Sequence, residues 1–523
     1  MLAGLLFALA LARAAPSIGW LDSGNLVASA FWLGIAHPPG EPGWLAPARV
    51  AQLLPIGDLA FRCTLLSAAC VAACAWPLCS MVRTLGGSRR SEYLAGALAL
   101  VGTSAQLQAV RAEVYGLTLL LLLLALAAVL RWGGLRASAS LAFLLGLGAG
   151  VHPLLCAAAA PALLVARFLR GGFGRRDVIA GAVAGLSGFA VYAWLPLRAL
   201  ARPERAWGSP DSPARFLDVL LARTFARNFG DAAEATSLLD NLGVVLQVGV
   251  LGLLPLWVVL AGFALRRSAA PPVRILAIVW PLWWLGNALT VLTQNKVFAS
   301  NPDLHGYLVV GVAALVPLAV VGVETLGGAR RAVEAALWMG CALLLWGSGS
   351  ADRSGNHLAR RYATELSAQL PPGAVLMTSG NDAAFAWLHL QGVERRRADL
   401  IVVHRVLLGH SQEERRLAGP LADVGLTWQP GLRSAPTEHL AGLRRPFYLE
   451  LREPELPALA DGRLLRHGLV AGWRGVPGVA PPEPPSLVAL REGTLAELAS
   501  PVAARDAQAA LVRGYYSELW GTP

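Results

Sequence analysis

The chain has 523 residues, is 55% hydrophobic with mean hydropathy +0.53, and is only 15% charged, against about 25% in a soluble domain. That excludes a disordered chain and argues against a wholly soluble one. Of its 44 basic and 33 acidic residues, 37 fall in positions 351–523, so the first two thirds read as membrane and the last third as water-soluble. The net charge of +11 does not point to nucleic acid, because the basic residues of the apolar part sit in short clusters between apolar runs, as the positive-inside rule requires.

A helix needs roughly 20 mostly apolar residues to cross a bilayer. Reading with that ruler gives about eleven candidate runs, the first of them short, near 2–15, 60–82, 92–109, 114–131, 138–151, 154–169, 178–197, 241–265, 273–293, 306–326 and 332–348. The first lacks a basic start and a good cleavage site, so it reads as an uncleaved span rather than a signal peptide. Every even-numbered span exits into a basic junction: Arg83, Arg89 and Arg90; Arg131 and Arg136; Arg167, Arg170, Arg175 and Arg176; Arg266, Arg267 and Arg274; Arg330 and Arg331. With the N-terminus inside, Asp22, His37, Glu41, Arg111, Glu113, His152, Arg198, Lys296, Asp303 and His305 all fall on the opposite, outer face. Ionisable groups at a membrane are costly and tend to be functional.

The first outer segment, 16–59, holds Asp22 and Ser23, which can cap a helix from about Asn25 to Leu33. Its Leu26, Phe31, Trp32 and Leu33 suit the membrane interface, and His37-Pro38-Pro39-Gly40 ends it by Ala36. Asp22 reads either as that N-cap or as a general base whose proton affinity is raised by partial burial. His37 either bonds its own turn or donates to a phosphate or sugar hydroxyl. Arg111 and Glu113, with Tyr115, either close a hairpin between spans three and four or face a substrate, and His152-Pro153 forms a similar turn. Arg198 ends span seven, where it either snorkels or offers a planar fork to phosphate. Lys296 is the only lysine; it is either a leftover charge or a phosphate ligand. Phosphate-binding loops, dinucleotide fingerprints, nucleophile elbows and zinc-protease motifs are absent from the sequence. The six cysteines follow no metal or disulfide spacing.

In the soluble third, 357–370 reads as a helix, 374–378 as a strand, 382–390 as a helix and 399–404 as a second strand. That is a β-α-β unit with a parallel pair. Residues 446–451 and 468–472 could add strands and 502–519 a closing helix, after a Pro-rich linker at 477–485.

Several motifs carry a resemblance. Trp20-Leu-Asp22-Ser-Gly24, Leu33-Gly-Ile-Ala-His37-Pro-Pro-Gly40, Leu54-Pro-Ile-Gly57 with Arg62, Glu113-Val-Tyr115, Leu195-Pro-Leu-Arg198 with Trp207-Gly208, and Leu370-Pro-Pro-Gly-Ala-Val375 through Asp382 and Trp387-Leu-His-Leu-Gln391 resemble a multi-pass family of the GT-C type. Its eukaryotic relative is a transmembrane protein O-mannosyltransferase. The resemblance implies a polytopic glycosyltransferase that uses a polyprenyl-phosphate sugar, with an acidic residue of the first outer loop as base; Asp22 takes that position. The family usually carries an acidic residue where Asn25 stands.

The expectation is therefore a polytopic α-helical membrane protein, GT-C-like with about 11 transmembrane helices, over 1–349, followed by a small α/β soluble domain over 350–523. Asp22 is the expected catalytic residue. His37, Arg62, Arg111, Glu113, Tyr115, His152, Arg198 and Lys296 are the expected substrate-binding residues, with no metal and no cofactor beyond the lipid-linked sugar co-substrate. The implied partners are a polyprenyl-phosphate sugar, a protein, lipid or glycan acceptor, and membrane lipids, but not nucleic acid. High Arg and Ala usage points to a bacterium, hence an inner membrane with the C-terminal domain periplasmic, although an endoplasmic reticulum location has the same topology. A flippase for lipid-linked saccharides, or a non-catalytic sensor or assembly protein, would carry the same surface charges.

Overall fold

The computed structural model describes residues 1–204, 206–223, 237–294, 301–378, 381–404, 411–423, 445–450, 464–467 and 470–473, with the backbone alone at 267, 381–383, 411–415, 464–467 and 470–473. Helices occupy all eleven apolar runs. α1 (Leu2–Arg13) is followed by two short helices of the first outer loop, α2 (Ser23–Phe31) and α3 (Pro42–Ala51). α4 (Leu59–Ala73) and α5 (Ala75–Thr84) together make a 26-residue span. The third run is divided into α6 (Arg89–Leu100) and α7 (Thr103–Ala109), and α8 (Tyr115–Arg131), α9 (Gly134–Ala149) and α10 (Pro153–Leu169) are shorter apolar helices. α11 (Arg175–Phe189) continues through a 3-10 turn, Ala190–Ala193, into α12 (Trp194–Leu200), and α13 (Pro213–Leu220) follows. The bundle closes with α14 (Leu238–Leu251), α15 (Leu254–Arg267), α16 (Pro271–Leu292), α17 (Pro302–Glu324) and α18 (Arg330–Gly347).

α17 is the centre of the bundle. Its residues from Leu304 to Val323 are buried almost without interruption except at Tyr307, which is what a helix apolar all round requires. α6, α7, α8, α15 and α16 pack around it. α11 is the opposite case: Val178, Ile179, Val183 and Leu186 are exposed on it, and it is held to α9 by small residues. A Cβ on Gly188 would stand 2.3 Å from the carbonyl oxygen of Phe143, so the two backbones touch as they do in membrane helix pairs.

The expected single span at 241–265 is two helices, α14 and α15, meeting at 61°. Pro255, in the first turn of α15, has no N–H to continue the ladder, and Leu253 takes φ +56°. The carbonyl of Gly252 released at the break accepts a hydrogen bond from Trp257 Nε1 at 2.6 Å.

The first outer loop also differs from expectation. Rather than lying in the membrane interface, α2 is buried from Ser23 to Ala30. It lies between α3 and α4 on one side and, on the other, the helix of the C-terminal unit described next. It ends where Leu33 turns left-handed (φ +49°) and Gly34 N–H reaches back to the Ser29 carbonyl, a Schellman closure.

After α19 (Leu358–Gln369), β1 (Val375–Thr378) leads through α20 (Asn381–Trp387) and a π-helical turn, Leu388–Val393, to β2 (Ile401–His404). α21 (Ser411–Asp423), β3 (Phe447–Leu449), β4 (Leu464–His467) and β5 (Val470–Trp473) follow. β1 pairs in parallel with β2 and with β3, whereas β5 is antiparallel to β3 and β4, in the order β2-β1-β3-β5-β4. The expected linker at 477–485 and helix at 502–519 lie outside the described residues.

Candidate active site

The site is built on the first outer loop. Asp22 precedes α2 in the N-cap position, yet its side chain accepts no hydrogen bond from the helix. Its Oδ2 instead stands 3.5 Å from Nε2 of His37, with 34% of the side chain exposed, which leaves it open to a molecule arriving from water. The His37 ring is fixed from behind: Asn25 Oδ1 accepts both the backbone N–H of His37 at 3.0 Å and its Nδ1–H at 3.1 Å. Glu41 Oε1 lies 3.4 Å from the same Nε2. Phe385 of α20 stacks on the imidazole, and Trp207 meets it edge-on, so the C-terminal unit supplies part of the wall.

Backbone strain is concentrated around these side chains. Leu21, Leu33 and Glu41 all have positive φ, at 62°, 49° and 46°, a conformation that costs a non-glycine residue roughly 1–3 kcal/mol and persists where surrounding contacts enforce it. Those contacts are visible. Gly43 N–H donates to the Gly150 carbonyl, and Trp207 N–H to that of Ile35.

A second group of residues closes the other side. Arg111 Nη2 donates to Asp303 Oδ1 at 2.6 Å, and its Nη1 lies 3.7 Å from Glu113 Oε1. Glu113 is held by its backbone: Ser67 Oγ accepts its N–H, while Ser67 and Trp44 Nε1 both donate to its carbonyl. Tyr115, His152 and Tyr307 form an aromatic cluster with centroids 5.3–5.6 Å apart, and Arg111 lies over the Tyr115 ring. His152 also caps α10 through Nδ1, which accepts from Leu155 N–H.

Electrostatics give these groups different states. Burial raises the Asp22 carboxyl above its ordinary value, opposed by His37 and Arg111 and reinforced by Asp303. Burial also pushes Glu41 and Glu113 well above the usual carboxylate range. His152 is driven down to about 4 by burial, so near neutral pH it is an uncharged cap rather than a cation.

The remaining expected residues are engaged elsewhere. Arg62 donates to the carbonyls of Gln52, Ile56 and Gly57, stapling the loop before α4. Arg198 donates to the carbonyl of Leu33 and lies over Trp194, holding the C-terminal end of α2. Lys296 lies outside the described residues. Asn25, Glu41, Asp303 and Tyr307 were not among the expected site residues. Glu41 and Asp303 left a trace in sequence as ionisable groups on the outer face, and Asn25 as the position where the resembled family carries an acidic residue; Tyr307 left none.

This bundle, with its buried outer loop and a capping α/β unit, has the fold of the polytopic GT-C membrane glycosyltransferases. The structure of ArnT from Cupriavidus metallidurans bound to undecaprenyl phosphate superposes with TM-score 0.58 at 14% identity, covering 92% of this chain and 98% of that one. The apo form of the same protein gives 0.59 at 14%, covering 92% and 97%. Residues 22–172 match the family described as the protein O-mannosyl-transferase TMEM260 N-terminal domain. Protein O-mannosyl-transferase TMEM260 of Mus musculus is 24% identical over 469 residues, 81% of this chain, and the chain spans 65% of that relative's length. The chain is a multi-pass membrane protein with the GT-C fold, and it is similar over part of its length to protein O-mannosyl-transferase TMEM260.

Proposed function

We propose that the protein is a membrane glycosyltransferase that moves a sugar, with mannose the first candidate, from a polyprenyl-phosphate donor to an acceptor hydroxyl on the non-cytoplasmic side. The single observation that carries this reading is the direction of the Asp22 carboxylate. It leaves its own helix N-terminus without a cap and faces His37, in a part-exposed setting where burial strengthens it as a base.

In this reading Asp22 takes the proton of the acceptor hydroxyl, and the oxygen attacks the anomeric carbon from the face opposite the phosphate. The bond from that carbon to the phosphate oxygen breaks, polyprenyl phosphate leaves with the electron pair, and the configuration inverts. Charge stabilisation of such a leaving group is often the largest contribution to the rate. His37, Arg111 and Lys296 are the cations assigned to it, while Glu113, Tyr115 and His152 shape the pocket around Arg111. Arg62 and Arg198 contribute by holding the loop that carries Asp22. The donor class is supported by the shared fold with ArnT, which was solved with undecaprenyl phosphate, and the sugar by the similarity to protein O-mannosyl-transferase TMEM260. Residues 1–349 would form the transmembrane part and 350–523 a periplasmic α/β domain of a bacterial inner-membrane protein.

The test is transfer from undecaprenyl-phosphate mannose by the purified full-length protein. Asp22→Asn keeps the size of the side chain but removes the base and is expected to lower the rate by at least about 10²-fold while the protein stays folded. Unchanged transfer by Asp22→Asn would remove the mechanism. Movement of the labelled lipid across vesicles without transfer would favour a flippase.

A further inference from the structure

Behind Asp22 lies a second carboxyl group to which the reaction above gives no role. Glu41 is 4% exposed, its Oε1 faces His37 Nε2 at 3.4 Å, and its Oε2 accepts no hydrogen bond among the described residues. A buried carboxylate oxygen without a donor is costly to ionise. Its backbone is held at φ +46°, which a side chain of this size rarely adopts. An isolated structural glutamate has no use for either condition.

The neighbour that makes sense of both is His37. Asn25 Oδ1 holds Nδ1, and an amide neither gains nor loses charge, so this nitrogen keeps its proton. Nε2 is then the nitrogen that can exchange one, and it faces two carboxyl groups at nearly equal distance, Asp22 at 3.5 Å and Glu41 at 3.4 Å.

We propose that Glu41 is a positioning residue that acts on Asp22 through His37, exchanging one proton with Nε2 so that Asp22 faces an imidazolium while it waits for the acceptor. The step is internal. The Glu41 O–H bond breaks, an N–H bond forms at His37 Nε2, and the pair becomes a carboxylate and an imidazolium with no change in net charge. The imidazolium lies beside Asp22 and keeps it ionised in a setting where burial favours the protonated form. Glu41 thereby supplies a carboxyl partner to His37 in a loop where position 25 carries an amide.

The other groups acting on Glu41 are Glu113, with Arg111 beside it, from the turn between α7 and α8, Asp303 and Tyr307 from α17, and Tyr192 from the 3-10 turn before α12. His152 at the start of α10 faces His37. Arg111 is already paired with Asp303, which leaves His37 as the proton partner within reach of Glu41.

This inference rests on Asp22 being the base, and the experiment separates the two. Full-length protein is assayed with undecaprenyl-phosphate mannose as donor across pH. Glu41→Gln is expected to move the acid limb of kcat/KM upward by about one pH unit, with kcat lowered and KM little changed. Glu41→Asp, which keeps a carboxyl and tolerates left-handed backbone better, restores most of the limb. An acid limb in Glu41→Gln that superimposes on wild type, or a failure of Glu41→Asp to restore it, overturns the proposal. If Glu41→Gln is not recovered, His37→Gln removes the exchange partner and must displace the limb in the same direction; an undisplaced limb overturns the proposal.

A second readout needs no turnover. The folded Glu41–His37 pair keeps one proton between its members, which stabilises the fold while an unfolded imidazole is charged and loses that contribution as pH rises past the unfolded imidazole value of about 6.5. The Tm of wild type minus that of Glu41→Gln should therefore fall as pH rises above about 6.5, and a difference independent of pH overturns the proposal. Should Asp22→Asn retain full transfer, the base assignment fails while the Tm comparison still reports on Glu41 and its proton.

Discussion

Asp22 combines two properties that usually oppose each other: it is open to solvent over a third of its side chain, and its environment favours its protonated form. As a base it must be ionised, so activity should rise with pH through its folded value. Because burial raises that value, the acid limb of kcat/KM is expected above the ordinary carboxylate position near ~4. A pH–rate profile checks this, and a limb at or below about 4 would contradict the assigned base. Asp22 and His37 were legible in the sequence because the stiff His37-Pro38-Pro39-Gly40 turn and the Asp22-Ser23 start of α2 lie in one short loop. The roles of Asp303 and Asn25 were not, because they come from contacts. Asp303 meets Arg111 across 192 positions, and Asn25 reads as an ordinary helix residue until the His37 ring is placed against it. Arg62 and Arg198 show the converse. An arginine at a helix end looks the same in sequence whether its fork meets a phosphate or, as here, backbone carbonyls.

At the scale of elements, α2 and α20 approach so closely that a Cβ on Gly24 would lie 2.4 Å from the carbonyl oxygen of Phe385. Gly24→Ala is therefore expected to destabilise the protein by about 1–3 kcal/mol, the range for overpacking, and to impair transfer by shifting Asp22 two positions away. Thermal unfolding in detergent alongside the transfer assay checks both. The apolar runs predicted helices well, because length and hydropathy are local properties. They hid the break between α14 and α15, since Pro255 lies inside a continuous apolar stretch and only the 61° turn shows which way it acted. They also misplaced α2, whose composition suits an interface but whose faces are covered by α20 and the bundle. The β1–α20–β2 unit was readable from two short apolar runs on either side of a helical stretch, and both strands are buried almost throughout, whereas the antiparallel β4–β5 edge depends on pairing between segments with weak patterns of their own.

For the whole molecule, the candidate site lies at one end of the helices, and the basic junctions lie at the other. That far end is closed by Arg167 with Asp177 and by Glu324 with Ser88 and Ser91. The proposed orientation puts the site end outside. Ile56 is exposed at the site end and Phe173 at the far end. In intact cells a membrane-impermeant thiol reagent should label Ile56→Cys, and should label Phe173→Cys only after lysis; the reverse pattern would invert the orientation. The charge division along the chain was enough to foresee two parts, but not how one part reaches into the other. The Phe385 ring against His37 carries a consequence for biogenesis. Asp22 and His37 are made well before one wall of their pocket, which is encoded more than three hundred positions later. At about 5–20 residues per second, a nascent chain would hold an unfinished site for roughly 20–70 s, and ribosome-arrested chains stopped short of α20 should be inert however completely their membrane helices have inserted.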